Sequence, residues 1–301
     1  MRPGPILVVG ASGLLGRALV KASLDSGQEA VGLTRSECDI TDPASVAKAL
    51  DHYRPRILVN TAAFTNVDAA EGDRGGAHAV NADGPEIIGA ASADRSIPVI
   101  HVSTDCVFDG RRERAYTEDD PIAPIGWYGH TKASGEARLR DVQPQHVVLR
   151  TAWLFGDGGG GFVRMAISAA LSGQPVRTVV DQIGSPTAAG DLAGAILAVD
   201  AMIEQGFADW GTYHYAGEEP ASRVDMVETI FAAVRGLGRD VAGIVPMHLA
   251  DFAALAPRPA NSILDSSRFV RIFGFPASDW RGHLVAQVRR EAAAKAEQQV
   301  V

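Results

Sequence analysis

The chain has 301 residues, of which 46% are hydrophobic and 21% charged, values typical of a soluble globular protein with one large domain or two unequal ones. Its formal net charge of −8 argues against nucleic acid as a partner, because binding a phosphate backbone requires a basic surface. No apolar run approaches the roughly 18 residues that cross a membrane, and residues 1–4 lead directly into a strand instead of a signal peptide. We therefore expect a cytoplasmic protein with no membrane and no nucleic-acid partner.

Short β-branched segments alternate with helical segments through the first half, which predicts a parallel sheet covered by helices on both faces. The strands predicted there are 6–9, 30–33, 57–61, 98–102 and 146–151, and the helices are 14–26, 43–53, 81–94 and one carrying residues 128–132. The second half predicts strands at 176–180 and, as the last one, at 211–215, with helices at 162–171, 191–203, 223–234, 266–272 and 279–296.

The regular alternation of strands and helices ends after residue 152. The predicted fold is therefore α/β, a Rossmann-type doubly wound parallel sheet with a smaller C-terminal substrate-binding domain. Residues 1–152 would form the NAD(P)-binding domain, to which parts of 162–216 return. Residues 153–301 would mainly form the substrate domain.

A glycine-rich turn, GASGLLG, lies between the first predicted strand and the first predicted helix. Its first two glycines permit a tight turn and a close approach of the backbone to a pyrophosphate, and the helix N-terminus then faces the negative charge. The third glycine lets helix and strand pack closely. The spacing departs from G-x-G-x-x-G, but its place at the start of a βαβ unit predicts dinucleotide binding. The cofactor-binding residues predicted in this turn are Gly10, Ser12, Gly13, Leu14, Leu15 and Gly16.

The end of the second predicted strand determines which form of the cofactor binds. A carboxylate there binds the ribose hydroxyls, whereas an arginine accommodates a 2′-phosphate. Arg35 occupies this place, with Glu37 two residues later, so we favour NADPH and leave NADH open. Asp39 and Ile40 are predicted adenine contacts. Arg35 could equally be a solvated loop residue, and Asp39 could cap a helix.

Tyr128 and Lys132 are spaced to lie one turn apart on the same face of a helix. A nearby ammonium group stabilises a phenolate, so we expect Lys132 to lower the pKa of Tyr128 from its usual value near ~10. A tyrosine with a lowered pKa can exchange a proton with an oxygen on a substrate carbon. Thr104, at the end of a predicted strand, could hydrogen-bond the same oxygen. The alternative is that the tyrosine and the lysine merely share a helix.

Six further motifs run in order along the chain. They are NTAAFTNVD at 60–68, STDCVFDG at 103–110, YGHTK at 128–132, RTAW at 150–153, DQIGSPT at 181–187 and RPANS at 258–262. With the glycine turn, they make the chain similar to the extended short-chain dehydrogenase/reductase family. The last three motifs are narrower and resemble the members that reduce dTDP-linked 4-keto-6-deoxy sugars. The resemblance implies a Rossmann domain plus a smaller domain that binds a nucleotide-sugar substrate.

The resemblance also implies a role for each matching residue. Tyr128 would be the general acid, Lys132 would orient the cofactor ribose and lower the tyrosine pKa, and Thr104 would polarise the substrate carbonyl. The residues implied to contact the cofactor are Ala62, Ala63, Thr65, Asn81, Tyr128 and Lys132. The residues implied to contact the substrate are Thr104, Asp105, Val107, Tyr128, Trp153, Arg258, Asn261 and Ser262. A core position for Trp153 and a surface position for Arg258 remain open.

The reaction implied is NAD(P)H-dependent reduction of the C4 keto group of dTDP-4-dehydro-L-rhamnose to dTDP-L-rhamnose. One alternative is reduction of another nucleotide 4-keto-6-deoxy sugar. A second is a non-catalytic NAD(P)-binding regulatory subunit. Such subunits tend to lose the tyrosine or the lysine, so the presence of both favours an enzyme.

The sequence departs from the family pattern at two positions. Cys106 stands where the family usually has a tyrosine, which leaves the details of substrate recognition open. Some members form dimers through metal-bridged glutamates on the first helix, and Ala18 stands at that place. This argues against a metal-linked dimer, whereas Mg²⁺ itself and the choice between monomer and homodimer stay open. The eight histidines show no metal-ligand spacing, so no metal site is predicted. Three residues of the fifth motif are expected to be architectural, with Asp181 and Gln182 in a turn and Thr187 capping a helix.

Overall fold

The computed structural model of the protein describes residues 4–251 and 254–298. Its strands are β1 (Ile6–Val9), β2 (Ala30–Leu33), β3 (Ile57–Asn60), β4 (Val99–Thr104), β5 (His146–Thr151), β6 (Leu154–Phe155), β7 (Val176–Val179), β8 (Ile183–Gly184), β9 (Thr187–Ala188), β10 (Gly211–His214), β11 (Ala221–Ser222) and β12 (Ile244–Met247). Its α-helices are α1 (Leu14–Asp25), α2 (Pro43–Tyr53), α3 (Val67–Gly72), α4 (Arg74–His78), α5 (Gly84–Ala93), α6 (Trp127–Val142), α7 (Gly161–Leu171), α8 (Ala189–Glu204), α9 (Arg223–Arg235), α10 (Ser267–Phe273) and α11 (Trp280–Gln298). Every strand and helix predicted from the sequence is present, with ends shifted by a few residues.

Six of the described strands form one parallel sheet in the order β2-β1-β3-β4-β5-β10. The apolar sequences ILVV of β1 and ILVN of β3 are buried throughout, as strands covered on both faces must be. The strand order reverses at β1, because β2 lies on one side of it and β3 on the other. In such sheets, ligands bind at the carboxyl ends of the strands beside the reversal. The prediction of a Rossmann-type doubly wound sheet is confirmed.

Helices cover both faces of this sheet, α1 and α8 on one face and α2, α5 and α6 on the other. The two faces bury complementary sets of side chains from the same strands, because successive strand residues point in opposite directions. Examples are Ile6, Leu19, Ile100 and Ile196 on the first face, and Leu7, Leu50, Ile88 and Leu139 on the second. Since α8 and β10 follow residue 152, the second half of the chain contributes both a covering helix and an edge strand.

A separate hydrophobic cluster lies between α7, α9 and α11. Its largest buried side chains are Phe231 and Trp280, packed with Val163 and Leu284. Short strand pairs adjoin this cluster: β7 with β12, β6 with β9, and β8 with β11. The division of the chain into two domains at residue 152 stays a prediction, and residues 299–301 lie outside the described part. None of the helices described is long and apolar enough to cross a membrane.

Three structural details correct the sequence-based prediction. The helix predicted from residue 81 starts at Arg74, because a π-helical turn over Ala79–Asp83 joins α4 to α5. The strand at 211–215 is not the last, since β12 pairs with β7 further on. Thr187 does not cap α8, because its hydroxyl donates to the Ser185 carbonyl and α8 has no side-chain cap.

Candidate active site

The glycine turn lies at the carboxyl end of β1, where the strand order reverses. Gly10 has a φ of +82°, and a Cβ atom there would lie 2.5 Å from the Ala62 nitrogen. A Cβ atom at Gly16 would lie 2.5 Å from the Gly10 oxygen. Helix α1 follows Gly13 without a side-chain cap, so its first N–H groups can face an anion. The other predicted residues of the turn are Ser12, which is exposed, Leu14, which is half-buried, and Leu15, which is buried. The turn therefore fits a pyrophosphate.

The carboxyl end of β2 carries the residues predicted to select the cofactor. The Arg35 side chain is 79% exposed, and its Nε lies 3.4 Å from Asp39 Oδ2. Asp39 Oδ1 accepts a hydrogen bond from the backbone N–H two residues later, so this carboxylate shapes a turn. Glu37 folds back and accepts hydrogen bonds from the backbone N–H and hydroxyl of Thr34. Ile40 is buried in the core. Arg35 is thus the exposed cation at this strand end.

The loop after β3 is held by the buried Asn81 side chain. Asn81 Oδ1 accepts a hydrogen bond from Phe64 N at 2.8 Å, and its Nδ2 donates to Phe64 O at 3.1 Å. The same amide donates to the Thr131 hydroxyl on α6 at 3.2 Å. Of the predicted cofactor contacts in this loop, Ala62 and Ala63 are half-buried and Thr65 is exposed. Asn81 therefore fixes the loop against α6, and its π-helical turn is of a kind often found at functional sites.

Thr104 and Tyr128 lie side by side where β4 ends and α6 begins. The Thr104 hydroxyl donates to Asp105 Oδ1 at 2.9 Å and accepts the Cys106 N–H at 3.1 Å. Burial raises the pKa of Tyr128 well above its ordinary value of 10, and the Cys106 and Asp105 side chains act in the same direction, while the Thr104 hydroxyl opposes them. The Tyr128 phenol therefore holds its proton at neutral pH.

Two glycines of α6 allow this helix to approach the segment after β4 and the π-helical turn. A Cβ atom at Gly129 would overlap the Cys106 carbonyl oxygen, and one at Gly135 would overlap the Asn81 carbonyl oxygen. Backbone therefore packs directly on backbone at both places. This contact sets the height of Tyr128 above the end of β4.

Lys132 is fully buried beneath Tyr128 on the same helix. Its Nζ donates a hydrogen bond to the Val102 carbonyl at 2.7 Å and lies 3.2 Å from His101 Nε2. Burial lowers the pKa of Lys132 to about 8. The expected lowering of the tyrosine pKa by this lysine is not observed, because Lys132 makes no hydrogen bond to Tyr128 within the described chain and desolvation dominates both groups.

A buried hydrogen-bond chain fixes the imidazole next to Lys132. Ala62 N donates to Asn60 Oδ1 at 3.0 Å, which directs Asn60 Nδ2 towards His101 Nδ1, 3.0 Å away. The hydrogen of neutral His101 then lies on Nε2, 3.2 Å from Lys132 Nζ. Burial, followed by the charge of Lys132, also lowers the pKa of His101 well below its ordinary value.

The residues predicted to face the substrate lie beyond the end of β4. Burial raises the pKa of Asp105, and the nearby Ser262 hydroxyl partly offsets this effect. Arg258 Nη2 lies 3.0 Å from Asp68 Oδ2 and forms an ion pair with it. Asn261 Nδ2 donates to the backbone carbonyl of residue 112 at 2.7 Å and so ties two loops together. Arg258 and Asn261 are therefore held by protein partners, whereas Asp105 and Ser262 lie next to each other.

Trp153 adopts a left-handed backbone conformation with φ of 45°. A Cβ atom at Gly184 would overlap its indole ring, so the ring packs directly on that glycine. The Arg223 guanidinium carbon lies 3.6 Å from the centroid of the same ring and 4.9 Å from that of Phe162. The indole is therefore held between a glycine and a cation. Val107, another predicted substrate contact, is fully buried.

A buried ion pair supports the strand that carries Thr104. Arg150 on β5 donates to both oxygens of Glu136 on α6, at 2.9 and 2.7 Å. The Ser103 hydroxyl donates to the same carboxylate at 2.6 Å. Glu136 is 0% exposed and fully paired, so this group joins α6 to β4 and β5.

Four residues near the site were not predicted from the sequence to act there: Asn60, His101, Glu136 and Arg223. The first two carried a signal, since they are polar residues within the apolar strands ILVN and VIHVST. A polar side chain buried in a strand must find a hydrogen-bond partner, here Lys132 and its neighbours. Glu136 and Arg223 lie on helices, where polar residues are common and give no signal in the sequence. Only the tertiary structure shows that they lie near the site.

The parallel sheet, the glycine turn at its reversal point, and a buried tyrosine and lysine beside a strand-end threonine are features of a nicotinamide-dependent reductase. The described residues contain no group of three His, Cys, Asp or Glu side chains arranged to hold a metal ion.

Comparison with known proteins identifies the particular family. The family described as RmlD substrate binding domain matches residues 4–293. The chain is 38% identical over 280 residues to dTDP-4-dehydrorhamnose reductase of Aggregatibacter actinomycetemcomitans, covering 92% of this chain and 95% of the relative. It is also 38% identical to a probable dTDP-4,6-dihydroxy-2-methyloxan-3-one 4-ketoreductase of Streptomyces antibioticus, covering 92% of each chain.

A solved structure agrees with these relatives. That of dTDP-4-dehydrorhamnose reductase from Bacillus anthracis in complex with NADP matches with a TM-score of 0.86 and 29% identity, covering 96% of this chain and 99% of that one. The protein belongs to the RmlD family, whose relatives include dTDP-4-dehydrorhamnose reductases, and it is an oxidoreductase of that family. The resemblance predicted from the sequence is confirmed.

Proposed function

We propose that the protein reduces the C4 keto group of dTDP-4-dehydro-L-rhamnose to give dTDP-L-rhamnose, with NADPH as the reductant. The observation that carries this proposal is the buried Tyr128, whose pKa responds to the Thr104 hydroxyl, at the end of β4, two strands from the glycine turn at β1. Relatives with this substrate in their names support the choice of sugar.

Each side chain then has a distinct task. The phenol of Tyr128 carries its proton at neutral pH, because burial raises its pKa, so it is the group that can protonate the substrate oxygen. The Thr104 hydroxyl hydrogen-bonds the same oxygen as negative charge develops there. Lys132 lies one turn along α6 and would bind the cofactor ribose. Bound NADPH would supply the hydride that reduces C4.

The cofactor fits the residues present. The glycine turn has no room for side chains at Gly10 and Gly16, and the uncapped start of α1 offers N–H groups to a pyrophosphate. The exposed Arg35 guanidinium would accommodate a 2′-phosphate, because its partner Asp39 is 3.4 Å away and Glu37 is turned back on Thr34. The NADP complex of the Bacillus anthracis relative supports the phosphorylated form.

The direct test mixes the purified protein with dTDP-4-dehydro-L-rhamnose and NADPH and follows the nicotinamide absorbance. We expect oxidation of the cofactor in step with sugar reduction. The Tyr128→Phe variant should still bind NADPH but lose about 10²–10⁴-fold in turnover, the contribution of a general acid. Absence of cofactor oxidation with both NADPH and NADH would contradict the proposal.

A second candidate is reduction of a different dTDP-linked 4-keto-6-deoxy sugar. Two observations favour keeping it: one relative is named as a ketoreductase of another dTDP sugar, and Cys106 occupies a family tyrosine position beside the Thr104 hydroxyl. Comparing kcat/KM for several dTDP-4-keto sugars would rank the candidates. The cytoplasmic location and the choice between monomer and homodimer stay predictions.

A further inference from the structure

Arg223 is a cation in the site region for which the structure gives no protein partner. It begins helix α9, and its guanidinium stacks on Trp153 with Phe162 nearby. Across residues 4–251 and 254–298, its nitrogens make no hydrogen bond and no ion pair. Burial lowers its pKa to about 10. The guanidinium is therefore half-buried and partly withdrawn from water, and no described acceptor compensates for that loss.

Arg150 has a carboxylate partner, which Arg223 lacks among the described residues. Arg150 is buried, whereas Arg223 is half-buried, and Arg150 donates to both oxygens of Glu136 in the bidentate geometry that guanidinium groups favour. The Arg223 guanidinium carries five N–H donors and stacks on aromatic rings without a hydrogen bond to any described residue. Stacking on Trp153 fixes the plane of the guanidinium while leaving its in-plane donors available. An arginine held in this way is arranged to bind a ligand.

The surroundings of Arg223 define the chemistry of that ligand. Its principal electrostatic neighbour of opposite sign is Asp105, which does not approach closely enough to form an ion pair. Arg258 also faces it, but the charge of Arg258 is matched by Asp68 at 3.0 Å. A hydrogen-bond donor, Arg223, and an acceptor, Asp105, therefore lie near each other without a direct ion pair. A hydroxyl group, which accepts and donates, matches both sides, whereas a phosphate would meet the Asp105 carboxylate.

We propose that Arg223 donates hydrogen bonds to hydroxyl groups of the hexose ring, next to Asp105, the substrate contact expected from the sequence. Trp153 acts as a positioning residue that holds the guanidinium plane. Arg223 would thus help to select the sugar part of the substrate and leave the nucleotide part to other residues. This inference rests on the proposed function, since it assumes a nucleotide-sugar with its keto group at Tyr128.

Binding measurements with two ligands test the inference. Isothermal titration calorimetry would compare dTDP-L-rhamnose with dTDP, which lacks the sugar, on wild-type protein saturated with NADP. For Arg223→Met, which keeps an apolar chain over Trp153, we expect dTDP-L-rhamnose to bind at least about tenfold more weakly and dTDP to bind within about twofold of wild type. Arg235→Met is the matched control, because Arg235 lies at the other end of α9 and its guanidinium also faces an aromatic ring, Phe231. It should change neither affinity.

The possible outcomes separate the inference from the proposed function. Equal weakening of both ligands in Arg223→Met would assign the guanidinium to the diphosphate and overturn the inference. Unchanged binding of both ligands, with a lower melting temperature, would make Arg223 structural and also overturn it. Wild-type protein that binds neither ligand would contradict the proposed function and the inference together. Selective loss of the sugar ligand would support both.

Discussion

A single methyl group at residue 129 should slow catalysis without removing any reacting group. Gly129 follows Tyr128 on α6, and its Cα packs against the backbone of Cys106 and the ring of Pro124. In Gly129→Ala, the new Cβ would overlap the Cys106 carbonyl oxygen and lie 3.0 Å from both the Cys106 carbonyl carbon and Pro124 Cβ. Neither neighbour is the flexible end of a side chain, so α6 itself must move away from β4.

The size of the effect follows from this displacement. Restoring ordinary van der Waals distances requires α6 to withdraw by roughly 1 Å, and a misplacement on that scale costs about 100-fold in rate, or about 2.7 kcal/mol of activation free energy. The global fold should survive, because replacing a glycine in a helix interior by alanine gains about 1 kcal/mol and offsets part of the packing strain. We therefore expect a folded protein with a much lower kcat.

The assay is the nicotinamide absorbance assay with saturating NADPH and keto-sugar, together with thermal unfolding of the same samples. Gly190→Ala is the matched control, because Gly190 is the second residue of α8 and a Cβ there meets no atom within 4 Å. This control should keep wild-type kcat. A Gly129→Ala protein with wild-type kcat and KM would refute the view that backbone contact between α6 and the segment after β4 sets the position of Tyr128.

Three further predictions concern cofactor choice, pH and the buried ion pair. Arg35→Ala should raise the Michaelis constant for NADPH much more than that for NADH, and an equal change in both would refute the role given to this exposed arginine. Because the pKa of Lys132 is lowered to about 8 from its ordinary value of 10.5, the unfolded chain holds this proton between pH 8 and 10.5 while the folded protein releases it. The free energy of unfolding of the wild type should therefore rise with pH across this window, relative to that of Lys132→Met, by on the order of 3 kcal/mol. Urea unfolding at several pH values measures this difference. Parallel pH profiles of the two proteins would contradict the low pKa of Lys132. Glu136→Ala should lower the free energy of unfolding by about 3–5 kcal/mol in the same experiment, since it leaves Arg150 buried without a partner. A loss below about 1 kcal/mol would contradict this and show that water replaces the lost carboxylate as the partner of Arg150.

Most of the sheet and its covering helices could be predicted because their signals are local. Four-residue apolar runs such as ILVV and ILVN mark buried strands, and Asp42 before Pro43 marks the start of α2, where its side chain accepts the Ala44 N–H. The π-helical turn at Ala79–Asp83 had no such signal, because it depends on Asn81 reaching across to Phe64 and Thr131. Strand β12 was missed because its sequence, IVPM, is short, contains a proline and is half exposed.

The sequence by itself determined the order of the elements, the glycine turn and the positions of Thr104, Tyr128 and Lys132, since each depends on neighbours a few residues away. Only tertiary structure decided how these groups titrate. Burial, which no spacing reveals, keeps the proton on Tyr128 and lowers the pKa of Lys132 to about 8. Tertiary structure also decided that Arg223 stacks on the ring of Trp153, 70 residues away in sequence. A contact between such distant segments depends on how the whole chain packs.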